Sequence, residues 1–286
     1  MTVSAPIEPP DFLSGTTGEI YGVRATTKAL RTDLLAATQA LGRGQRWRVR
    51  RAGRNAPARR VLALSVERPD GPNLLAPARA ELLRSRHDVC FDSKTVGELG
   101  KFENLNELLA GHSLADLDWI LVIDDDVTLP PGFLDAFLFL AEHVDLRLAQ
   151  PAHRARSHAA WAVTRRQAGS LVRETAYVEI GPVTAFQAVT FDVLLPFPPL
   201  RAGWGLDAYW AALAREHGWR IGVVDATPIR HHVRRIAAFY DRDEAISEGR
   251  RFLAGKPYVT ASEARTLVTH RTLAGPHSLT AQRSRT

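Results

Sequence analysis

Short apolar runs alternate with longer amphipathic segments between residues 60 and 152. Four runs have the length and composition of strands: VLALSV (61–66), DVCFD (88–92), WILVI (119–123) and LRLAQPA (146–152). The segments between them have the lengths of helices: 74–87, 102–112 and 132–144. Strands that alternate with helices in this way predict a mostly parallel, doubly wound sheet with helices on both faces. We therefore expect an α/β fold.

Beyond Pro151 the alternation is less regular. Three stretches there have strand-like composition: WAVTRR (161–166), TAYVEIGPVTAFQAV (175–189) and FDVLLPF (191–197). A helix-like stretch at 206–218 precedes a last strand, RIGVVDA (220–226), and a helical stretch at 237–255 follows it.

A chain of 286 residues with 45% hydrophobic and 24% charged residues can bury one large core. We expect one main domain at 57–258, between an N-terminal extension, 1–56, and a flexible C-terminal tail, 259–286, which is rich in Ser, Thr and Arg. In the extension, leucines and alanines between 26 and 41 follow helical spacing. They predict an amphipathic helix that packs on the domain or on a partner.

Cysteine content and hydropathy restrict where the chain functions. Cys90 is the only cysteine of the sequence, which excludes an intramolecular disulfide and a multi-cysteine zinc site, and fits a reducing compartment. No segment approaches the roughly 20 consecutive apolar residues that span a bilayer. We therefore expect a cytoplasmic protein without a transmembrane segment.

Positive charge is concentrated ahead of the first strand. The net charge is +6, and much of the excess lies in RGQRWRVRRAGRNAPARR, residues 43–60. Clustered guanidinium groups attract phosphate, and one interpretation is peripheral contact with a membrane surface. The other is a solvated basic linker. We favour the linker and expect no nucleic-acid partner, because no RNA- or DNA-binding motif accompanies the run.

Three carboxylates, Asp124, Asp125 and Asp126, follow directly on the apolar run at 119–123. Ligands of open parallel sheets bind at the carboxyl ends of strands. Buried like charges are costly unless a cation compensates them, and Mg²⁺ and Mn²⁺ prefer such oxygen ligands. Because alternate residues of an extended segment point the same way, we expect Asp124 and Asp126 to face one ligand while Asp125 faces the protein. The simpler interpretation is a solvated acidic turn.

A second motif, GWGLD at residues 203–207, precedes a predicted helix. Gly203 and Gly205 permit an unusual backbone conformation and the close approach of a ligand, and Trp204 offers an apolar face. A carboxylate at Asp207 is placed either to act as a general base toward a hydroxyl or simply to cap the helix.

Candidates also stand after the last strand and before an early helix. His231 and His232 follow the strand, where a neutral imidazole is a suitable third ligand for a metal held by carboxylates, although a lone histidine is more often structural. In GKFENLNELL, Lys101 is suited to neutralise phosphate, and Asn104 or Asn106 to hydrogen-bond a base or ribose. Asn104 equally fits a helix cap.

Taken in order, these motifs resemble those of GT-A glycosyltransferases, close to the family 2-like enzymes. The resemblance covers residues 60–258 and is carried by five stretches: VLALSVER, GKFENLN, WILVIDDDV, GWGLD and VVDATPIRHH. It implies a Rossmann-like, mostly parallel sheet flanked by helices, with the N-terminal helical extension outside it.

The resemblance also implies roles for individual residues. Asp124 and Asp126 would bind Mn²⁺ or Mg²⁺, with His231 or His232 as the third protein ligand. Asp207 resembles the base with which inverting members deprotonate an acceptor hydroxyl, although it stands alone where the family has an acidic pair. A nucleotide-sugar, expected to be a UDP-sugar, would contact ten residues: Ser65, Glu67, Arg68, Asp92, Lys101, Asn104, Asp124, Asp125, Trp204 and Gly205.

The implied activity is transfer of a sugar from this donor to a hydroxyl of an acceptor that the sequence leaves unidentified. A nucleotidyltransferase also combines a Rossmann-like sheet with acidic metal ligands, but it usually has a glycine-rich signature after its first strand, where this chain has VERPDGPN. A non-enzymatic protein that binds RNA or anionic lipid is the third hypothesis. Strong salt-dependent binding without metal-dependent binding of UDP would support it.

Overall fold

The computed structural model describes residues 10–39, 43–70, 73–232 and 241–273. Its helices are α1 (Gly22–Gln39), α2 (Arg43–Asn55), α3 (Leu75–Leu83), α4 (Lys101–Ala110), α5 (Phe133–His143), α6 (Phe191–Leu194), α7 (Leu206–Glu216) and α8 (Arg242–Leu253). Its strands are β1 (Arg60–Glu67), β2 (Asp88–Thr95), β3 (Trp119–Ile123), β4 (Val127–Thr128), β5 (Leu146–His153), β6 (Val172–Thr175), β7 (Val183–Gln187), β8 (Arg220–His231) and β9 (Thr266–His270).

The described strands form one mixed sheet in the order β2-β1-β3-β7-β5-β8-β6-β9, with the short β4 paired to β8. Strand β1 is parallel to β2 and β3, and β5 is parallel to β8. Strands β4, β6 and β7 run antiparallel to their neighbours, so the other six strands point the same way. The predicted α/β fold, a mostly parallel sheet flanked by helices, is confirmed.

Side chains of the sheet alternate between two cores, one on each face. On β1, Val61 and Ala63 join the core that contains α3 and α5, whereas Leu62 and Leu64 join the core that contains α4 and α7. Every residue of β3 is buried, as expected for a central strand covered on both faces. The three aspartates follow this buried strand directly, and Asp124 is partly exposed whereas Asp125 and Asp126 are still buried.

Two segments predicted to be irregular contain regular structure. The basic linker contains α2, whose Val49 and Gly53 lie one helical turn apart and are buried, with Gly53 close against α5. Arginine is a good helix former, so the charge of this segment does not prevent a helix. The predicted flexible tail contains β9, which pairs with β6 and covers an edge that would otherwise expose unpaired backbone groups.

Two stretches predicted as strands are not strands. FDVLLPF begins with α6, and WAVTRR contains a single 3-10 turn. Within WAVTRR the hydroxyl of Thr164 donates to the carbonyl of Trp161, and just before FDVLLPF the hydroxyl of Thr190 donates to the carbonyl of Gln187. Such local hydrogen bonds compete with those of a strand ladder. None of the described helices has the length and hydropathy needed to cross a membrane.

Strand β8 continues five residues beyond its predicted end at 226, because three strands pair with it. A buried ion pair also fixes it to β6. Arg173 Nε donates to Asp225 Oδ2 at 2.8 Å, and Arg173 Nη2 donates to Asp225 Oδ1 at 3.1 Å. This bidentate pair anchors the middle of the strand whose end carries His231.

Candidate functional site

Asp124 is the first residue after β3, and it is partly exposed. Its N–H donates to the carbonyl of Pro182 at 2.8 Å, and its Oδ1 accepts a hydrogen bond from Lys101 Nζ at 2.6 Å. A Cβ at Gly181 would lie 3.1 Å from both Asp124 Oδ2 and Lys101 Nζ, so the glycine leaves room for this ion pair. Two of the predicted donor-site residues are thus in direct contact.

Asp125 turns toward the protein. Its Oδ2 accepts a hydrogen bond from the N–H of Arg68 at 2.9 Å, and its carbonyl accepts one from the N–H of Leu74 at 2.5 Å. The side chain is 4% exposed. Asp125 therefore ties the end of β3 to the loop that follows β1.

Asp126 and His231 meet beside the short β4–β8 ladder, in which Val127 pairs with His231. The Nε2 atom of His231 lies 3.1 Å from Asp126 Oδ1, and its Nδ1 atom lies 3.2 Å from the carbonyl oxygen of His158. Because a carbonyl only accepts hydrogen bonds, Nδ1 carries the proton in the neutral imidazole. Nε2 is then the nitrogen available to a metal.

His232 lies apart from this group. Its Nε2 is 2.9 Å from Thr128 Oγ1. Adjacent residues of an extended strand point to opposite faces, which separates the two histidines. Of the two candidates for a third metal ligand, the structure brings only His231 to the carboxylates.

The ligand atoms of Asp124, Asp126 and His231 all lie within 4.8 Å of one another, and no other such group of three occurs in the described residues. Burial lowers the pKa of His231, but the nearby carboxylates of Asp126 and Asp124 raise it by more than burial lowers it. The net shift of this pKa is therefore upward. Two carboxylates and one imidazole nitrogen form a donor set that suits Mn²⁺ or Mg²⁺. These residues therefore fit the expected divalent cation.

Asp207 is the second residue of α7 and is 7% exposed. Burial raises the pKa of its carboxyl to about 7, while the Tyr177 hydroxyl and the N–H of Ala208 offset part of that effect. Gly205, and not Asp207, occupies the N-cap position, so the helix-cap interpretation is wrong. A carboxyl with a pKa near neutrality is suited to accept a proton from a substrate.

The two glycines of GWGLD are required by packing. Gly203 and Gly205 have φ angles of 77° and 89°, and a Cβ at Gly203 would lie 2.1 Å from the ring of Phe102. A Cβ at Gly205 would lie 2.9 Å from Leu253. The close neighbours of these glycines are therefore protein side chains, and the close approach of a ligand to Gly205, which borders the cavity, stays a prediction.

The metal-ligand group and Asp207 border one cavity of about 1060 Å³. Nine predicted site residues contribute to its wall: Arg68, Lys101, Asp124, Asp125, Asp126, Trp204, Gly205, Asp207 and His231. The ring of Trp204 also lies 5.7 Å from the guanidinium carbon of Arg242, which borders the cavity as well. The cavity therefore unites the candidate metal site, the candidate base and several cations.

Four residues predicted to contact the nucleotide-sugar lie outside this wall: Ser65, Glu67, Asp92 and Asn104. Ser65 is fully buried, and Glu67 accepts a hydrogen bond from Ser93 Oγ at 2.7 Å. Asp92 lies 2.8 Å from His112 Nε2. Asn104 Nδ2 donates to two carbonyls at the start of α4, but Gly100 and not Asn104 occupies the N-cap position, so the capping interpretation is wrong.

The sequence did not point to His153 and Glu179, which also border the cavity. Their buried side chains are hydrogen-bonded, with His153 Nε2 2.9 Å from Glu179 Oε2. His153 ends β5, so the rule that singled out the carboxyl end of β3 applies to it too. Glu179 lies in a loop before β7, and no motif or periodicity in the neighbouring sequence indicates a functional role for it.

No protein-family model matches the sequence, and no curated protein matches it. Several solved structures are similar. A mannosyltransferase from Pyrobaculum calidifontis, in complex with GDP-Man and Mn²⁺, is 16% identical with a TM-score of 0.41, and the match covers 70% of this chain and 66% of that one. TarS from S. aureus, in complex with UDP-GlcNAc, is 15% identical with a TM-score of 0.41, over 69% of this chain and 66% of that one.

Glucosyl-3-phosphoglycerate synthase from Mycobacterium tuberculosis is similar over more of its length. Its structure is a complex with Mn²⁺, uridine diphosphate and phosphoglyceric acid, and it is 13% identical with a TM-score of 0.45. The match covers 82% of this chain and 95% of that one. By contrast, the chain spans about two thirds of the length of the mannosyltransferase.

Proposed function

We propose that this protein is a divalent-metal-dependent glycosyltransferase of the GT-A fold, which moves a sugar from a UDP-sugar to a hydroxyl of an acceptor. The observation that carries the proposal is the convergence of Asp124, Asp126 and His231 on the wall of a cavity that buried Asp207 also borders. A metal-ligand group beside a near-neutral carboxyl suits a reaction in which a diphosphate leaves and a hydroxyl loses its proton.

The volume of the cavity also supports a reaction with two substrates. At about 1060 Å³ it lies at the upper end of the range of about 300–1000 Å³ that is usual for small-molecule pockets, which leaves room for a donor and an acceptor group side by side. In this proposal the metal ligands lie in the donor part of the cavity and Asp207 lies in its acceptor part.

Asp124, Asp126 and His231 would hold Mn²⁺ or Mg²⁺, and the bound cation would stabilise the negative charge that develops on the leaving diphosphate. Lys101, whose ammonium group reaches Asp124, supplies a further positive charge beside these ligands. Arg68 adds another positive charge on the cavity wall. The hydrogen bond that its N–H donates to Asp125 fixes the position of its backbone.

Asp207 would accept the proton of the acceptor hydroxyl as the hydroxyl oxygen attacks the anomeric carbon. The bond between that carbon and the diphosphate oxygen breaks in the same displacement, and attack from the opposite face inverts the configuration. Burial of Asp207 serves this step because it raises the proton affinity of the carboxylate.

Titration calorimetry of UDP and of GDP, each with and without Mn²⁺, tests the proposal. We expect UDP to bind in the presence of Mn²⁺ and much more weakly in its absence. If neither nucleotide shows metal-dependent binding, the glycosyltransferase proposal is wrong. Binding of GDP in place of UDP would contradict the proposed donor alone.

The pH dependence of transfer is expected to report the pKa of Asp207. Because that pKa is raised to about 7, the carboxyl is protonated at lower pH and cannot accept the acceptor proton. The value of kcat/KM should therefore fall about tenfold for each pH unit below the pKa and level off above it. Initial rates across this range at saturating Mn²⁺ measure the profile, with UDP binding at each pH as the control. A flat profile across the pKa would contradict the role.

A further inference from the structure

The two N-terminal helices and the domain beneath them form a cationic surface that the proposed reaction does not use. We name it the N-terminal surface and define it by α1, α2 and four arginines: Arg154, Arg156, Arg166 and Arg230. All four arginines are half-buried, and none of them borders the cavity. The surface is therefore distinct from the donor and acceptor site.

Asp33 of α1 joins that helix to the arginine group. Its Oδ1 accepts a hydrogen bond from the N–H of Ala155 at 2.7 Å. Its Oδ2 accepts one from the N–H of Arg156 at 3.2 Å and lies 3.5 Å from Arg156 Nε. One carboxylate thus fixes α1 over a segment in which Arg154 and Arg156 are two residues apart.

The arginine group carries more positive charge than its neighbours neutralise. Burial lowers the pKa of Arg154, Arg166 and Arg230, and repulsion by nearby guanidinium groups contributes in each case. Within the part of the chain that the structure describes, Asp33 and Asp225 are the acidic groups that act on these arginines, and Asp225 is already held in its buried ion pair with β6. An external anion would relieve this repulsion.

Helix α2 extends the charge. Five of its arginines are exposed: Arg46, Arg48, Arg50, Arg51 and Arg54. Arg46 lies close enough to Arg166 to lower the pKa of that residue, so the positive charge of the helix adjoins that of the domain arginines at this point. Helix α2 itself is held on the domain through buried Val49 and Gly53.

Large apolar side chains are exposed on the same two helices. Leu30 and Leu34 of α1 are 38% and 59% exposed, lie one helical turn apart and flank Asp33. Trp47 of α2 is 57% exposed and lies beside Arg46. Arginines next to exposed leucine and tryptophan side chains are typical of helices that lie at the boundary between lipid headgroups and acyl chains.

We propose that the N-terminal surface binds the anionic face of a lipid bilayer. The arginines contact phosphate headgroups, while Leu30, Leu34 and Trp47 enter the boundary with the acyl chains. A lipid bilayer satisfies both features, whereas a nucleic acid would pair with the arginines and leave the leucines in water. The proposal goes beyond sugar transfer and does not depend on it.

Co-sedimentation of the full chain with vesicles tests the proposal. We expect binding to vesicles of phosphatidylcholine mixed with phosphatidylglycerol, loss of binding as salt rises, and no binding to phosphatidylcholine alone. The double variant Arg46→Gln with Arg50→Gln removes two exposed charges, and at roughly 1 kcal/mol for each charge the partition coefficient should fall about thirtyfold. Leu30→Gln with Leu34→Gln should also weaken binding.

The matched control is Arg84→Gln with Arg215→Gln, which changes the net charge equally. Both arginines are exposed, Arg84 just after α3 and Arg215 on α7. This control should bind vesicles as the native chain does, and thermal unfolding followed by circular dichroism should be alike in all variants. A loss of binding in the control equal to that in the α2 variant would overturn the proposal.

Other occupants of the surface would give different results. Absence of binding to the phosphatidylglycerol vesicles overturns the proposal. The proposal is also overturned if the chain binds RNA in a salt-dependent manner, the leucine variant retains that binding, and neither protein binds vesicles. A dimer that light scattering shows to dissociate in the leucine variant, again without vesicle binding, would make the surface an interface between two copies of the chain.

Discussion

Replacement of Asp207 by asparagine is expected to lower kcat for sugar transfer by about 10²–10⁴-fold, because an amide cannot accept the proton of the acceptor hydroxyl. Nucleotide binding should not change, since the side chain keeps its size and Asp207 is separate from the metal-ligand group. Initial rates of UDP release with a panel of hydroxyl acceptors measure the first effect. Calorimetric titration of UDP with Mn²⁺ measures the second.

Glu179→Gln is the matched control, because Glu179 is a second buried carboxylate on the same cavity. Its oxygens accept hydrogen bonds from the N–H of Trp161 at 3.1 Å and from His153 at 2.9 Å, so it is already engaged by protein donors. We expect a smaller loss of transfer in this variant. If Asp207→Asn retained transfer while Glu179→Gln lost it, Glu179 would be the base instead.

Replacement of Asp126 by alanine is expected to abolish metal-dependent nucleotide binding. The change removes one of three grouped ligands and also the carboxylate 3.1 Å from His231 Nε2. Since outer-shell partners alone are worth about 10–100-fold in metal affinity, loss of a direct ligand should lower Mn²⁺ affinity by more than about a hundredfold. Titration of Mn²⁺, and then of UDP, measures both parts of the effect.

Asp125→Asn provides the control next in sequence. Asparagine keeps an oxygen that can accept the hydrogen bond that Asp125 receives from the N–H of Arg68. We therefore expect this variant to bind Mn²⁺ as the native chain does, while a weaker affinity for UDP would indicate a direct contact of Asp125 with the nucleotide. The assignment of ligands would be contradicted if Asp125→Asn lost Mn²⁺ binding while Asp126→Ala retained it.

The central part of the fold follows from local sequence. The runs that became β1, β2, β3 and β5 are short, apolar and separated by helical segments, and this pattern has few solutions besides a covered, mostly parallel sheet. The aspartates after β3 were predictable for the same reason, since the sequence shows both the buried strand and the abrupt charge at its carboxyl end.

Features that depend on distant parts of the chain were not predictable. Only the pairing of β8 with β4 decides that His231, and not His232, joins the aspartates. The contact of Asp92 with a distant histidine and the hydrogen bonds of Asn104 to two backbone carbonyls were likewise not visible in the local sequence. The helix α2 was missed because arginines and glycines make up most of its sequence and few apolar residues mark the face that contacts the domain.

The ladder between β4 and β8 has a thermodynamic consequence. Val127 pairs with His231 and Thr128 with Arg230, so backbone hydrogen bonds hold Asp126 and His231 together without any ligand. The conformational entropy of bringing these two side chains together is therefore lost during folding and does not oppose ligand binding. A slip of the ladder by one residue would turn the opposite face of β8 toward the aspartates, so backbone register selects which side chain completes the site.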